Sequence, residues 1–279
     1  MFTLPFPSIL RAPLLCLGWL LLCVFPASFS LHAAQEAEDL PGGARALLMA
    51  YPEQLQEFRG GKLIWRDGTE MAYDDGRPQK TFAERFNGAS LRDQMLLPYP
   101  LGRTYPNPPG RDVDPGRFRC EAFFLKMYGR SAAEVERNLV PVVWMPQSAP
   151  QRLRVTRVNG IASRLEAVAA DLEKLSPEIR KASLRSAGTF NWRTIAGTER
   201  LSEHSFGIAI DLNLDYADYW RWGKPGADGA VSYRNRMPLE IVEAFEKQGF
   251  IWGGKWYHFD TMHFEYRPEL LIATRAQQK

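Results

Sequence analysis

Residues 160–175 carry the clearest periodic pattern in the chain. Ile161, Leu165, Val168, Leu172 and Leu175 recur at spacings of four and three, which puts them on one helical face, with Asn159 placed as N-cap. A second helix is predicted from Pro238 to Gln248. Pro238 suits the first helical position, Leu239, Val242 and Phe245 share a face, and Gly249 suits the stop. A shorter helix is expected around Ala44–Ala50, broken near Pro52. In "GKLIWRDGTEMAYDDG" the Asp67-Gly68 pair separates two strand-like runs, a hairpin signal. Leu139–Met145 reads as a strand that Pro141 confines to a sheet edge or starts late. Six prolines between Pro98 and Pro115 remove backbone donors, so an irregular loop is expected there. Strands and helices mix without regular βαβ alternation, which makes the fold class α+β.

The N-terminus follows another pattern. Arg11 precedes an apolar run, Leu14 to Phe25, that matches the h-region of a secretory signal and falls short of the ~20 residues needed to span a bilayer. Ser28, Ser30, Ala33 and Ala34 supply small residues for cleavage. Residues 1–30 are therefore read as a signal peptide, with an uncleaved anchor as the alternative. The expected product is an exported protein, periplasmic or extracellular, with no membrane span after cleavage and a start between about Leu31 and Gln35. Cys16 and Cys23 would leave with the leader. The remaining Cys120, in "RFRCEAFF", borders an apolar run and reads as a buried structural cysteine.

Composition narrows the function classes. Hydrophobic residues at 45% and charged residues at 24% exclude a disordered, collagen-like or coiled-coil chain. The net charge of +3 comes from 35 basic and 32 acidic side chains spread along the chain, without the basic stripe of a nucleic-acid binder.

Candidate chemistry lies in "LSEHSFGIAIDLN" (201–213) and "KWYHFDTMHFEY" (255–266). Of four histidines, His32 falls at the cleavage region, while His204, His258 and His263 each have a carboxylate nearby. Gly207–Leu212 alternates as a strand, with Ala209 and Asp211 on one face and Ile208 and Ile210 on the other. His204 lies seven residues before Asp211, so the two converge only if the chain bends, and Gly207 offers the bend. Asp260 and His263 share a face only across a turn or bulge at Thr261–Met262. His204, Asp211 and His263 would fill three corners of a zinc tetrahedron and leave the fourth open, as catalytic zinc sites do. Asp260 would then be free to take a proton from the attacking water. Glu265, on the His263 side of its strand, is placed to orient an imidazole. Glu203 is a rival base, but in an extended run it would point away from His204. His258 reads as a second layer of the site, a substrate contact or a packed ring. Trp220, Trp222, Trp252 and Trp256 read as core or pocket wall. No HExxH occurs.

Ser202-x-His204-x-x-Gly207-x-Ala209-x-Asp211, followed by Asp260-x-x-His263, resembles the LAS-type zinc metallopeptidases. These include D-alanyl-D-alanine dipeptidases and carboxypeptidases (VanX- and VanY-like), phage endolysins cutting L-alanyl-D-glutamate bonds, and the hedgehog fold. The resemblance covers about Ala182 to Pro268, and residues 35–155 carry no family motif. It implies Zn²⁺ on His204, Asp211 and His263, a general base at Asp260, and a substrate- and oxyanion-binding arginine at Arg193, with Arg185 as runner-up. Ser202, His258 and Glu265 would bind substrate or support the ligands. It also implies a small, mostly antiparallel sheet with flanking helices at 156–272, preceded by an α/β extension at 35–155 packed on it or leading into it. The implied substrate is a peptidoglycan stem peptide. Alternatives are a zinc-containing wall-binding module without turnover, or an exported peptidase for a non-murein peptide.

Overall fold

Helix α1 (Gly42–Ala50) buries Ala44, Ala46 and Leu47 and ends before Pro52. The computed structural model describes residues 1–2 and 40–278. The apolar run 14–25, Cys16, Cys23, His32 and the expected cleavage point lie outside the described residues. After α1 comes an antiparallel sheet of β1 (Leu55–Arg59), β2 (Lys62–Trp65) and β3 (Glu70–Ala72), in that order. Strands β2 and β3 are the arms of the Asp67-Gly68 hairpin, whose turn is tied by Asp67 Oδ1 accepting from the Thr69 amide and hydroxyl. Strand β1 adds to the other edge of β2.

Two short helices, α2 (Phe82–Asn87) and α3 (Leu91–Gln94), start at capping boxes built on Thr81 with Glu84 and Ser90 with Asp93. The proline-rich stretch contains no helix or strand. Helices α4 (Glu121–Tyr128) and α5 (Ala132–Glu136) lead into a two-stranded ribbon, β4 (Leu139–Trp144) with β5 (Gln151–Thr156). A ribbon has two free edges, which is why Pro141 is tolerated inside β4. Helix α6 (Ile161–Leu172) buries Ile161, Leu165, Val168 and Leu172 of the expected face and ends before Leu175, which packs partly buried against the core. Asn159 is not its cap. Its backbone is left-handed at φ 56°, its side-chain amide donates to the Tyr128 hydroxyl, and left-handed Gly160 opens the helix.

The last elements are α7 (Pro177–Arg180), β6 (Ser186–Gly188), β7 (Ala209–Leu212), α8 (Leu239–Lys247), β8 (Phe250–Trp252), β9 (His263–Tyr266) and α9 (Pro268–Gln277). Strands β6-β7-β9-β8 form one antiparallel sheet. Helix α8 covers it, with Phe245 stacked on Phe264 at 3.9 Å between ring centres. Pro238 stands just before α8, as its N-cap. The class is α+β, with small antiparallel sheets and flanking helices. Leu40–Lys279 forms one compact unit. Leu47, Trp65 and Phe123 share a core cluster with Leu165, Ile210 and Phe264, so the segment before residue 156 is built into the same core as the segment after it. Among the described residues no helix is long and apolar enough to cross a membrane.

Candidate metal centre and active site

The site is assembled on the β7–β9 pair. Asp211 lies directly opposite His263, and Ala209 directly opposite Glu265. Alternation places all four on one face, and the small Ala209 leaves space for the Glu265 carboxylate beneath the imidazole. His204 arrives from a 3₁₀ turn, Glu203–Phe206, whose first amide groups are capped by the Ser202 hydroxyl accepting from His204 N. The turn ends at Gly207, left-handed at φ 67°. A Cβ there would stand 2.7 Å from Leu139 Cδ2 and 3.3 Å from Thr156 N, so both the bend and the close packing against β4 and β5 call for glycine. The second expected turn is also present. His263 N donates to Asp260 O, while Thr261 is pinned by the Trp252 indole donating to its carbonyl and by Asp218 N donating to its hydroxyl.

The ring nitrogens are differentiated by their partners. His204 Nδ1 faces the Thr189 carbonyl, which only accepts, so the hydrogen sits on Nδ1 and the Nε2 lone pair is free. Nε2 is buried without a hydrogen bond and lies 3.2 Å from Asp211 Oδ1. His263 Nε2 lies 2.9 Å from Glu265 Oε2, and its Nδ1 lies 3.0 Å from Asp211 Oδ1. Burial opposes charge on His263, but the two carboxylates override it and hold its pKa up to about 10. For Asp211 burial pushes upward, and the two imidazoles override it and hold the carboxyl well below its ordinary range. One atom from each of His204, Asp211 and His263 lies within 4.8 Å of the others. Two imidazole nitrogens, one of them orphaned, and a carboxylate oxygen make a donor set that suits zinc.

A cavity of about 260 Å³ opens on this trio. Asp260, Ser202, Glu203, Arg193, Arg117, Arg119, Tyr219 and Trp256 also line it. Asp260 Oδ1 is buried without a partner, and burial followed by the charge of Asp211 pushes its pKa up to about 6. Its charged surroundings include Asp211, His263, Arg117 and His204. Glu203 belongs to another neighbourhood. It pairs with Arg119 at 2.7 Å and feels Glu265, Arg267 and Arg200. The expectation that Glu203 points away from the site held only for an extended chain, and the 3₁₀ turn brings it to the cavity wall.

The remaining expected residues divide. Arg193 is exposed at the cavity rim. Arg185 lines a different depression, with Gln151 and Ser186. The His258 ring does not line the cavity. It faces Asp114 at 2.6 Å and packs against Trp220 and Phe82. Glu265 is gripped by Arg119 and Arg267, which anchor it beneath His263. Trp252 is core, Trp256 is cavity wall, and Trp222 is 61% exposed. Sequence reasoning missed Arg117 and Arg119. Both lie in "RFRC", before the matching motif, and only the tertiary fold brings them to the ligands. Cys120 is buried and its thiol is pushed up by that burial, which suits a structural role.

Three donors that could hold a metal, with a partnerless carboxylate oxygen beside them, make an arrangement of the kind metal-dependent hydrolases use. Residues 196–266, about a quarter of the chain, match the family model described as D-alanyl-D-alanine carboxypeptidase. That segment is similar to peptidases of this kind, and it contains His204, Asp211, Asp260 and His263. No curated protein and no solved structure matches the chain.

Proposed function

We propose that the protein is an exported, zinc-dependent peptidase that trims peptidoglycan stem peptides, most simply as a D,D-carboxypeptidase. The convergence of His204 Nε2, Asp211 Oδ1 and His263 Nδ1 beside the partnerless Oδ1 of Asp260 carries this reading. Its support is the donor set together with the family match. When bound there, a zinc ion would polarise the scissile carbonyl and acidify water.

The chain's own residues supply the rest. Asp260 takes the proton from the attacking water and returns it to the leaving amine as the C–N bond breaks. Thr189 O and Glu265 fix which imidazole nitrogens face the reaction. Arg193, at the rim, is assigned to the negative charge developing on the carbonyl oxygen. Export would bring the enzyme to its substrate, and residues 156–272 are proposed as the catalytic segment.

Incubation of the zinc-loaded protein with defined muropeptides, followed by mass analysis, tests this reading. Loss of one terminal residue, abolished by a chelator, is the expected result. Internal cleavage would make it an endopeptidase. Intact muropeptides throughout would reject the reading and leave a wall-binding module.

A further inference from the structure

Arg117 lies outside the segment that matches the peptidase family, yet it enters the cavity beside the metal trio. It is only 8% exposed. Its Nη1 donates to the His258 carbonyl at 2.9 Å, and its guanidinium lies over the rings of Phe86 and Trp256 at 5.4 and 5.3 Å. No carboxylate among the described residues pairs with it. The nearest in sequence, Asp114, is occupied by the amide and ring of His258 at 2.9 and 2.6 Å. Arg119, two residues on, is neutralised by Glu203 and Glu265. Burial depresses the Arg117 pKa, and the charges of Asp114 and Asp260 oppose that shift without forming an ion pair with the guanidinium. The aromatic faces and the His258 carbonyl hold the guanidinium in place at the cavity wall.

We infer that Arg117 recognises a substrate carboxylate, and that this carboxylate is the free C-terminus of the peptide being trimmed. The inference rests on the peptidase reading and names the specificity residue within it. A planar guanidinium can meet a carboxylate through two parallel hydrogen bonds, and in a desolvated site such a pair is strong. A cavity of about 260 Å³ has room for the end of a peptide. A carboxylate from a stem-peptide side chain has the same chemistry, and C-terminal amidation separates the two sources.

Two measurements on the full mature protein test the inference. In the first, N-acetyl-D-alanine and N-acetyl-D-alaninamide are titrated against zinc-loaded wild type, Arg117→Met and Arg117→Lys by ligand-observed NMR. Wild type should bind the acid roughly 10- to 100-fold more tightly than the amide. Arg117→Met, which keeps the packing between the rings, should lose that preference, and Arg117→Lys should keep part of it. In the second, kcat and KM are measured for a D-Ala-D-Ala-terminated peptide and its C-terminal amide. The advantage of the acid should lie mainly in KM and collapse in Arg117→Met. Equal binding of acid and amide by wild type overturns the inference even if peptides are cleaved, as does an equal fall in kcat for both peptides in Arg117→Met. Acid-selective binding that depends on Arg117, without cleavage of any peptide, upholds the inference and rejects the peptidase reading instead.

Discussion

At the scale of single residues, the sharpest distinction is between two carboxylates on one cavity wall. Each has one partnerless oxygen, but Asp260 faces the charges of His204, Asp211 and His263, whereas the other oxygen of Glu203 is paired with Arg119. Asp260→Asn preserves shape but cannot accept a proton. Zinc content should survive while kcat falls roughly 10²- to 10⁴-fold. Glu203→Gln should keep most turnover, and a steady-state comparison of the two variants decides which group is the base. The same contrast holds for the imidazoles. His263→Ala deletes one of three expected ligands and should lose most of the zinc by metal analysis. His258→Ala should retain it, because that ring is paired with Asp114.

Elements matter here through their turns. The strand pair β7–β9 sets Asp211 against His263, but His204 and Asp260 reach the same point only because the chain folds back at Gly207 and at Thr261–Met262. Gly207→Ala would hold an L-residue in left-handed backbone and press a methyl onto Leu139. Destabilisation of about 1–3 kcal/mol is expected, with a lower Tm and weaker zinc retention. An unchanged melt would mean that the turn can relax without moving His204. Here the sequence was directly legible. Odd spacing between His204 and Asp211, with a glycine between them, already required this bend, and the three-residue gap from Asp260 to His263 required the other.

Across the whole molecule, a buried chain of charges links the site to the N-terminal half. From His263 it runs through Glu265, Arg267 and Glu269 to the Tyr51 hydroxyl, with Arg119 bridging Glu203 and Glu265. Removing one member of such a network leaves a buried charge uncompensated, a loss of about 3–5 kcal/mol. Titration of His263 gives this network a pH signature. Its folded pKa, raised to about 10, exceeds the unfolded value of about 6.5, so its stabilisation is complete below pH ~6.5 and is lost as pH rises towards 10. Chelator-treated protein should therefore melt at progressively lower temperature between pH ~6.5 and ~9, and His263→Gln should flatten the trend. Zinc must displace a proton from His263, so zinc affinity should move the opposite way and tighten with pH. Calorimetry in buffers of different ionisation enthalpy would count the proton released.

The sequence by itself determined most of the amphipathic face of α6, the helix after Pro238, the Asp67-Gly68 hairpin and the strand around Asp211, which starts at Ala209 and not at Gly207, and it singled out the four motif positions His204, Asp211, Asp260 and His263. All of these depend on local periodicity, turn chemistry or short spacing, which neighbouring residues encode. Tertiary structure alone decided the rest. Asn159 yields the helix start to left-handed Gly160, because its own side chain turns to Tyr128. Glu203 faces the cavity because its segment coils as a 3₁₀ turn. Arg117 and Arg119, just past the end of the proline-rich loop, reach the trio from more than eighty residues upstream of His204. No local pattern encodes such contacts. They exist because both halves of the chain bury their apolar faces in one core, and that shared burial carries two arginines into the site.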